Sequence, residues 1–167
     1  MTDSPGEQHS IRLVGAGDLA DLLQLMRAYC DFYGTNPSDD ALLALSRSLL
    51  EDPEHEGLQL IARDAQNAAV GFATIFWSWS TTRAARIGVM NDLFVAPEAR
   101  GTGLADRLIA ACADQCVTRG ARRLEWQTAL DTRRAQTVYE RVGGVREQWL
   151  DYGIDVDPDR PDVSTAR

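Results

Sequence analysis

Residues Val95 to Ala105 read VAPEARGTGLA, and no other stretch restricts the fold as strongly. An apolar run from Met90 to Val95 leads into a turn at Pro97, and Arg100-Gly101-Thr102-Gly103-Leu104-Ala105 follows. Beyond it Leu104, Leu108, Cys112 and Cys116 recur every fourth residue, with Ala105, Ile109 and Val117 beside them. That spacing is one apolar face of an amphipathic helix. The order is therefore strand, glycine-rich turn, helix. A helix N-terminus presents unpaired backbone N–H groups and partial positive charge. Glycines let that backbone come close to a phosphate, and Arg100 adds a fixed charge and a fork of donors. The segment is predicted to bind an anion, in the form of a phosphorylated cofactor.

Two common phosphate motifs do not fit. A P-loop requires a lysine, and all 17 basic residues of this chain are arginine. The dinucleotide fingerprint requires a third glycine, and here the helix opens at the second. The spacing does satisfy a different pattern: Arg or Gln, Gly three residues later, and Gly or Ala two beyond that. Arg100, Gly103 and Ala105 meet it.

The sequence downstream extends the match. Arg122 to Thr128 (RRLEWQT) reads as a strand with Leu124, Trp126 and Thr128 on one face. A link from Ala129 to Thr132 leads to a helix marked by Ala135, Val138, Tyr139 and Val142, which Gly143-Gly144 should end. A last β-like segment is predicted from about Val145 to Ile154. Asp131, Ala135, Tyr139 and Gly143 fall at the spacing of a second motif, in which Asn usually stands where this chain has Thr132. The two motifs, in this order and about 35 residues apart, resemble those of the GNAT superfamily, the acetyl-CoA-dependent N-acetyltransferases. The resemblance covers roughly Ile11 to Val156. DFYG, LEWQTALD and QWLDYGID are similar to segments of bacterial GNAT proteins related to polyamine, thialysine and histone-type amine acetyltransferases.

The order of elements agrees with a single α/β (mixed α+β) domain. Ile11 to Val14 reads as a strand, and Leu19, Leu22, Leu23, Met26 and Tyr29-Cys30 as a helical stripe. Ser38 is placed to cap a second helix bearing Leu42, Leu45, Leu49 and Leu50, which Asp52-Pro53 ends. Leu58 to Arg63 and Ala69 to Ser78 read as a hairpin, and Arg86 to Val95 as the fourth strand. The resemblance implies the GNAT fold, a central mixed sheet with about four main helices, over residues 11–156. Residues 1–10 and 157–167 read as disordered polar tails.

Composition narrows the function. A chain of 167 residues with a formal net charge of −8 offers no basic face for nucleic acid. No apolar run reaches the roughly 18–20 residues of a membrane span, and the first residues lack the basic start and apolar core of a signal peptide. Three cysteines suit a reducing compartment, so a cytoplasmic location is expected. Two histidines, His9 and His55, leave no Ser–His or Cys–His nucleophile pair and no metal cluster. Acidity favours a cationic partner such as an amine.

The resemblance implies roles for particular residues. Leu93, Phe94 and Val95 match the strand whose backbone holds the thioester carbonyl and the pantetheine arm; as side chains they also read as sheet core. Arg100, Gly101, Thr102, Gly103, Leu104 and Ala105 match the pyrophosphate loop, and Thr132, Ala135 and Tyr139 further cofactor contacts. Tyr139 matches the usual general acid, and equally fits a core aromatic of its helix. Asp92, a carboxylate within an apolar strand, is the candidate base. A structural acid at that position is the alternative, with Glu125, or solvent, as rival base. Asp106 would repel a pyrophosphate if it pointed inward; as a first-turn acid it should point outward. Tyr29, Phe32, Tyr33, Trp77 and Trp79 supply aromatics that suit a cationic amine, and Tyr33, Trp79 and Glu125 are the candidate substrate contacts. The implied reaction is direct acetyl transfer from acetyl-CoA to a primary amine of a small molecule or peptide, without metal, by a monomer or homodimer. The alternative is a non-catalytic acyl-CoA-binding regulatory module.

Overall fold

The computed structural model of the chain describes residues 9–156. Its elements run β1 (His9–Leu13), α1 (Leu19–Tyr33), α2 (Asp39–Glu51), β2 (Gly57–Asp64), β3 (Ala69–Ser80), β4 (Ala85–Val95), α3 (Leu104–Thr118), β5 (Leu124–Glu125) and α4 (Arg133–Arg141). The five strands form one sheet in the order β1-β2-β3-β4-β5. The first four are antiparallel neighbours, and β5 joins β4 in parallel.

Local chemistry sets the element ends. Ser38 caps α2, its Oγ accepting from the Ala41 N–H at 3.2 Å. Gly34, at φ 68°, closes α1 in the left-handed conformation that spares a Cβ clash. Gly143, at φ 87°, does the same after α4. Gly144 then passes so close to Trp126 that a Cβ would stand 3.0 Å from its ring.

Alternation along β3 divides the core. Phe72 and Thr74 point toward α1, where Phe72 meets the Tyr29 ring at 5.8 Å. Gly71 and Ile75 point the other way, where Leu104 and Leu108 of α3 lie over Gly71. The helices α1 and α3 therefore cover opposite faces of the sheet. Leu22, Met26, Ile61, Phe72, Ile75, Leu104, Leu108 and Cys112 are fully or almost fully buried between them. Beside this core Arg63 is buried and joined to Asp18 at 2.8 Å and Asp21 at 2.7 Å, while Arg12 grips Asp18 through two 2.6 Å contacts.

Three expectations need correction. His9 and Ser10 belong to β1 and not to a tail, because they pair with Asp64 and Arg63, and backbone pairing does not depend on apolar side chains. The predicted strand from Arg122 to Thr128 contracts to Leu124–Glu125, since β4 runs alongside for only two register pairs. Residues 145–156 form no strand. Arg123 and Gln127 touch this segment through Glu147 and Asp151, each 24 residues ahead. No backbone ladder forms there, and Val145, Trp149, Leu150, Tyr152, Ile154 and Val156 remain exposed. The predicted tails at residues 1–8 and 157–167 lie outside the described residues.

Candidate active site

The sheet opens in the middle of β4. Gly88 and Val89 pair with Leu124 and Glu125, and pairing on that side then stops. From Met90 onward β4 and the chain after β5 diverge. On its other side β4 stays bound to β3, but the register slips: Ile75 faces Met90 and Thr74 faces Asp92, so Asn91 is the extra residue of a bulge. Beyond the bulge Leu93, Phe94 and Val95 keep β3 as their neighbour and present their other backbone edge to the cleft. A free strand edge offers alternating N–H and C=O groups to an extended ligand. Their side chains meanwhile pack, with Phe94 buried and Leu93 and Val95 half-buried, so the backbone and core readings of these residues hold together.

The glycine turn lies at the end of that edge. Gly101 at φ 82° and Gly103 at φ 80° both take the left-handed conformation. Gly103 is the N-cap of α3, and no side chain caps the helix. The first-turn N–H groups are thus left to a ligand or solvent. Arg100 donates from Nε to the Val95 carbonyl at 3.0 Å, which fixes the plane of the guanidinium while its terminal nitrogens stay open. Thr102 is used internally, its hydroxyl donating to the Ala99 carbonyl at 2.7 Å. Leu104 is buried and Ala105 half-buried, anchoring the helix start to the core. Asp106 does not stand alone in the first turn: Arg141 of α4 grips both its oxygens at 2.8 and 3.0 Å. The ion pair offsets the negative charge beside the loop. The open edge, the uncapped helix and the two positive-φ glycines fit an acyl-CoA with its pantetheine along β4 and its pyrophosphate at α3.

Asp92 lies in a polar pocket under α1. Burial pushes its carboxyl above the usual range, while its polar neighbours Thr74, Tyr29 and Asn91 favour the charged form; the Tyr29 hydroxyl itself lies 3.5 Å from the Asn91 carbonyl. The Asn91 amide donates to Asp92 Oδ1 at 3.0 Å. Tyr29 is also held above its ordinary range, by burial first and then by the charge of Asp92. Among the described residues no cation pairs with Asp92. A half-buried carboxylate flanked only by neutral groups keeps an affinity for protons, as a base requires. Glu125 differs, because Arg123 stands 2.7 Å from its oxygen.

Tyr139 faces the cleft from α4. Its ring meets Trp126 edge-on at 5.5 Å. Burial raises its phenol, and the nearby Tyr33 acts in the same direction, while a hydrogen bond with Thr128 opposes it. Tyr33, at the end of α1, stacks edge-on against Tyr29 at 4.9 Å. The fold therefore brings Asp92, Tyr29 and Tyr33 together on one side of the cleft and Tyr139 with Trp126 on the other, from residues spread between positions 29 and 139. Ala135 is half-buried one turn before Tyr139. Thr132 makes no capping bond; its hydroxyl donates to the Ala129 carbonyl at 2.6 Å and meets that of Thr128 at 2.8 Å. Trp79 is set apart. It is five residues beyond Thr74 on β3, about 17 Å along the strand at a rise of about 3.4 Å per residue, and it is exposed. Tyr29, Thr74 and Asn91 have no motif to announce them; a polar residue inside the apolar run AVGFATIFW was the one available signal for Thr74.

Comparison with known proteins agrees with this arrangement. The family model "Acetyltransferase (GNAT) family" matches residues 20–144. The chain is 33% identical over 134 residues to an uncharacterized N-acetyltransferase, YhfO, of Bacillus subtilis (strain 168), covering 80% of this chain and 88% of that protein. It is 25% identical over 142 residues to a thialysine N-epsilon-acetyltransferase of Bos taurus, covering 80% and 82%. The crystal structure of the aminoglycoside N-acetyltransferase AAC(6')-Iy in complex with CoA superposes with a TM-score of 0.77 at 23% identity, over 90% of this chain and 96% of that one, a likeness of fold. With the opened sheet, the glycine loop and the matched family in agreement, the chain belongs to the GNAT acetyltransferase family, as an acetyl-CoA-dependent N-acetyltransferase.

Proposed function

We propose that this enzyme moves the acetyl group directly to a primary amine, of a small molecule or a peptide, within a ternary complex. The observation that carries the reading is the half-buried Asp92, beside Asn91 and the free edge of β4, with Tyr139 presented by α4 beyond the opened sheet. An alkylammonium has a pKa of about 10.4 and must lose a proton before it can attack. Asp92 accepts that proton, directly or through one water. The amine nitrogen then bonds to the thioester carbonyl carbon, the C–S bond breaks, Tyr139 donates its proton to the departing sulfur, and the proton released by the acylated nitrogen restores the phenol through water. Backbone N–H groups of Leu93 to Val95 polarise the carbonyl, Arg100 and the Gly101–Ala105 turn hold the pyrophosphate, and Thr132 and Ala135 flank the arm. Tyr33 and Glu125 line the acceptor side, where aromatic faces and a carboxylate favour a cation. Trp79 belongs to this reading only for an acceptor long enough to reach the β3–β4 hairpin. The names of similar proteins, a thialysine and an aminoglycoside acetyltransferase, support an amine acceptor.

Direct transfer is favoured over an acyl-cysteine route because burial raises the Cys112 thiol to about 12 and the Cys116 thiol to about 11. Three free cysteines also suit a cytoplasmic location. The exposed apolar side chains of residues 145–156, beside the short β5, support a homodimer formed at that edge. Light scattering across a concentration series tests it; a monomer throughout would remove the assembly.

The deciding experiment is an acetyl-CoA titration by thermal shift, followed by thiol release over a panel of primary amines. Binding with turnover and no acetylated cysteine supports the reading. Binding without turnover on any amine would turn it toward an acyl-CoA-binding regulatory module. A trapped, transfer-competent acetyl-cysteine would refute direct transfer.

A further inference from the structure

Gln59 of β2, Thr74 of β3 and Asp92 of β4 are successive cross-strand partners, Gln59 registered opposite Thr74 and Thr74 opposite Asp92. Gln59 is 4% exposed and Thr74 0%. Polar side chains that deep cost stability unless they are bonded. The bonds here run one way. The Gln59 amide nitrogen donates to Thr74 Oγ1 at 3.2 Å. An amide N–H cannot accept, so this contact leaves the hydroxyl proton of Thr74 unused. The Asp92 carboxylate stands directly opposite Thr74 in the register, where it can take that proton. Behind Gln59 its amide also touches Met26 Sδ at 3.7 Å, a soft and weak acceptor that does not compete with the hydroxyl.

We propose that Gln59 and Thr74 are positioning residues for Asp92. Gln59 sets the direction of the Thr74 hydroxyl, and Thr74 anchors one carboxylate oxygen so that the other faces the cleft. Without the amide, the hydroxyl is free to turn to a backbone carbonyl, the habit of buried threonines. The catalytic part of the proposal rests on Asp92 being the base. Asp92 is faced by neutral Thr74 from β3, neutral Asn91 from its own strand, and Tyr29 from α1 with Tyr33 behind it. Tyr29 is held above its ordinary range, so in this cluster the carboxylate is the group that gives up its proton first.

The test is an NMR titration of carboxyl-labelled aspartates, with the Asp92 signal assigned by its loss in Asp92→Asn. Thr74→Val keeps the shape and removes the donor, so the Asp92 midpoint should rise by about one unit, a tenfold change in proton affinity. Gln59→Met should move it the same way by less, and Thr74→Ser should restore it. The acid limb of the kcat/KM profile should climb with the midpoint, while activity above the limb stays near normal. A loss of activity that is equal at every pH would indicate mere structural damage and overturn the proposal. An unmoved midpoint in folded Thr74→Val and Gln59→Met would overturn it too. If the midpoint moves and the limb does not, the positioning stands and Asp92 is refuted as the base.

Discussion

Gly88 is a position where a single methyl group should do measurable harm. It faces α3 at the first of the two places where β4 and β5 are paired. A Cβ there would stand 2.6 Å from Cys116 Sγ, 3.1 Å from Ile75 Cγ2 and 3.1 Å from Trp77 Cζ3. Ordinary carbon contacts lie near 3.5–4.0 Å, so the sulfur is overlapped by about 1 Å. Cys116 is a short side chain on a buried helix face and cannot swing away, so α3 or β4 must shift. Overpacking of this kind costs about 1–3 kcal/mol, and for a domain of this size each kcal/mol lowers Tm by about 2–4 °C. Gly88→Ala should therefore melt roughly 2–12 °C lower. The structure also predicts the remedy. Cys116→Ala alone should cost about 1 kcal/mol as a small cavity, yet the double variant should be more stable than Gly88→Ala alone, because the added methyl fills the space left by the sulfur. Recovery should be partial, since Ile75 and Trp77 remain close. Urea unfolding of all four proteins gives the coupling energy, expected at about 1 kcal/mol or more. Strict additivity, or a Gly88→Ala variant as stable as the parent, would refute the packing argument.

Other expectations concern the site and its supports. Tyr139→Phe keeps the ring against Trp126 but loses the proton donor; turnover should fall about 10²–10⁴-fold with acetyl-CoA affinity nearly unchanged, and normal steady-state rates would remove Tyr139 from the mechanism. Gly103→Val meets no neighbour closer than Asp106 Oδ2 at 3.9 Å, so its penalty is conformational: a β-branched residue at φ 80° costs about 1–2 kcal/mol or moves the loop. Calorimetry should show acetyl-CoA affinity reduced in Gly103→Val and in Arg100→Ala, the latter by about 1.5–3 kcal/mol. Asp18 is held well below the usual carboxylate range, first by Arg12, then by the Gly15 N–H and Arg63. A depressed folded value stabilises above the unfolded value of about 3.9 and is lost as pH falls below it. Asp18→Asn should thus cost roughly 3 kcal/mol at neutral pH, and urea midpoints of parent and variant should converge as pH drops below about 4. Midpoints equally far apart at every pH would show that the loss does not come from the charge.

The parts of the fold that could be read in advance were those whose cause is local. The Arg100–Ala105 turn is written in its glycines, the cap of α2 in Ser38, and the end of α4 in Gly143-Gly144, because a handful of adjacent residues dictates each. Leu124, Trp126 and Thr128 alternate as a strand should, but alternation cannot say how far a partner runs alongside, and here β4 turns away after Val89. The same holds for residues 145–156, whose apolar alternation found no ladder. In the site, Tyr139 and Asp92 could be proposed from spacing and from a charge in an apolar run. Their company could not. Thr74 reaches Asp92 only because the bulge at Asn91 shifts the register by one, and Gln59 reaches Thr74 only through the hairpin alignment of β2 and β3. The stacking of the α1 tyrosines Tyr29 and Tyr33 beside Asn91 of β4 is likewise described by no periodicity.

The parting of β4 from β5 has a mechanical consequence. Residues after Glu125, together with α4, hang on the rest of the molecule by two ladder pairs, the Arg141–Asp106 clasp, the Arg123–Glu147 ion pair and a thin layer of packing. A ligand lying in the opening would act as a missing strand, stitching the two halves along its length. Loading the cosubstrate would then be partly an act of assembly. Amide exchange should slow most in Trp126 to Val142, and a protease that nicks the unloaded chain there should find it closed once acetyl-CoA is bound. Affinity for the cosubstrate and rigidity of the helix that carries Tyr139 would be one quantity, and a substitution that loosens the clasp would lower both.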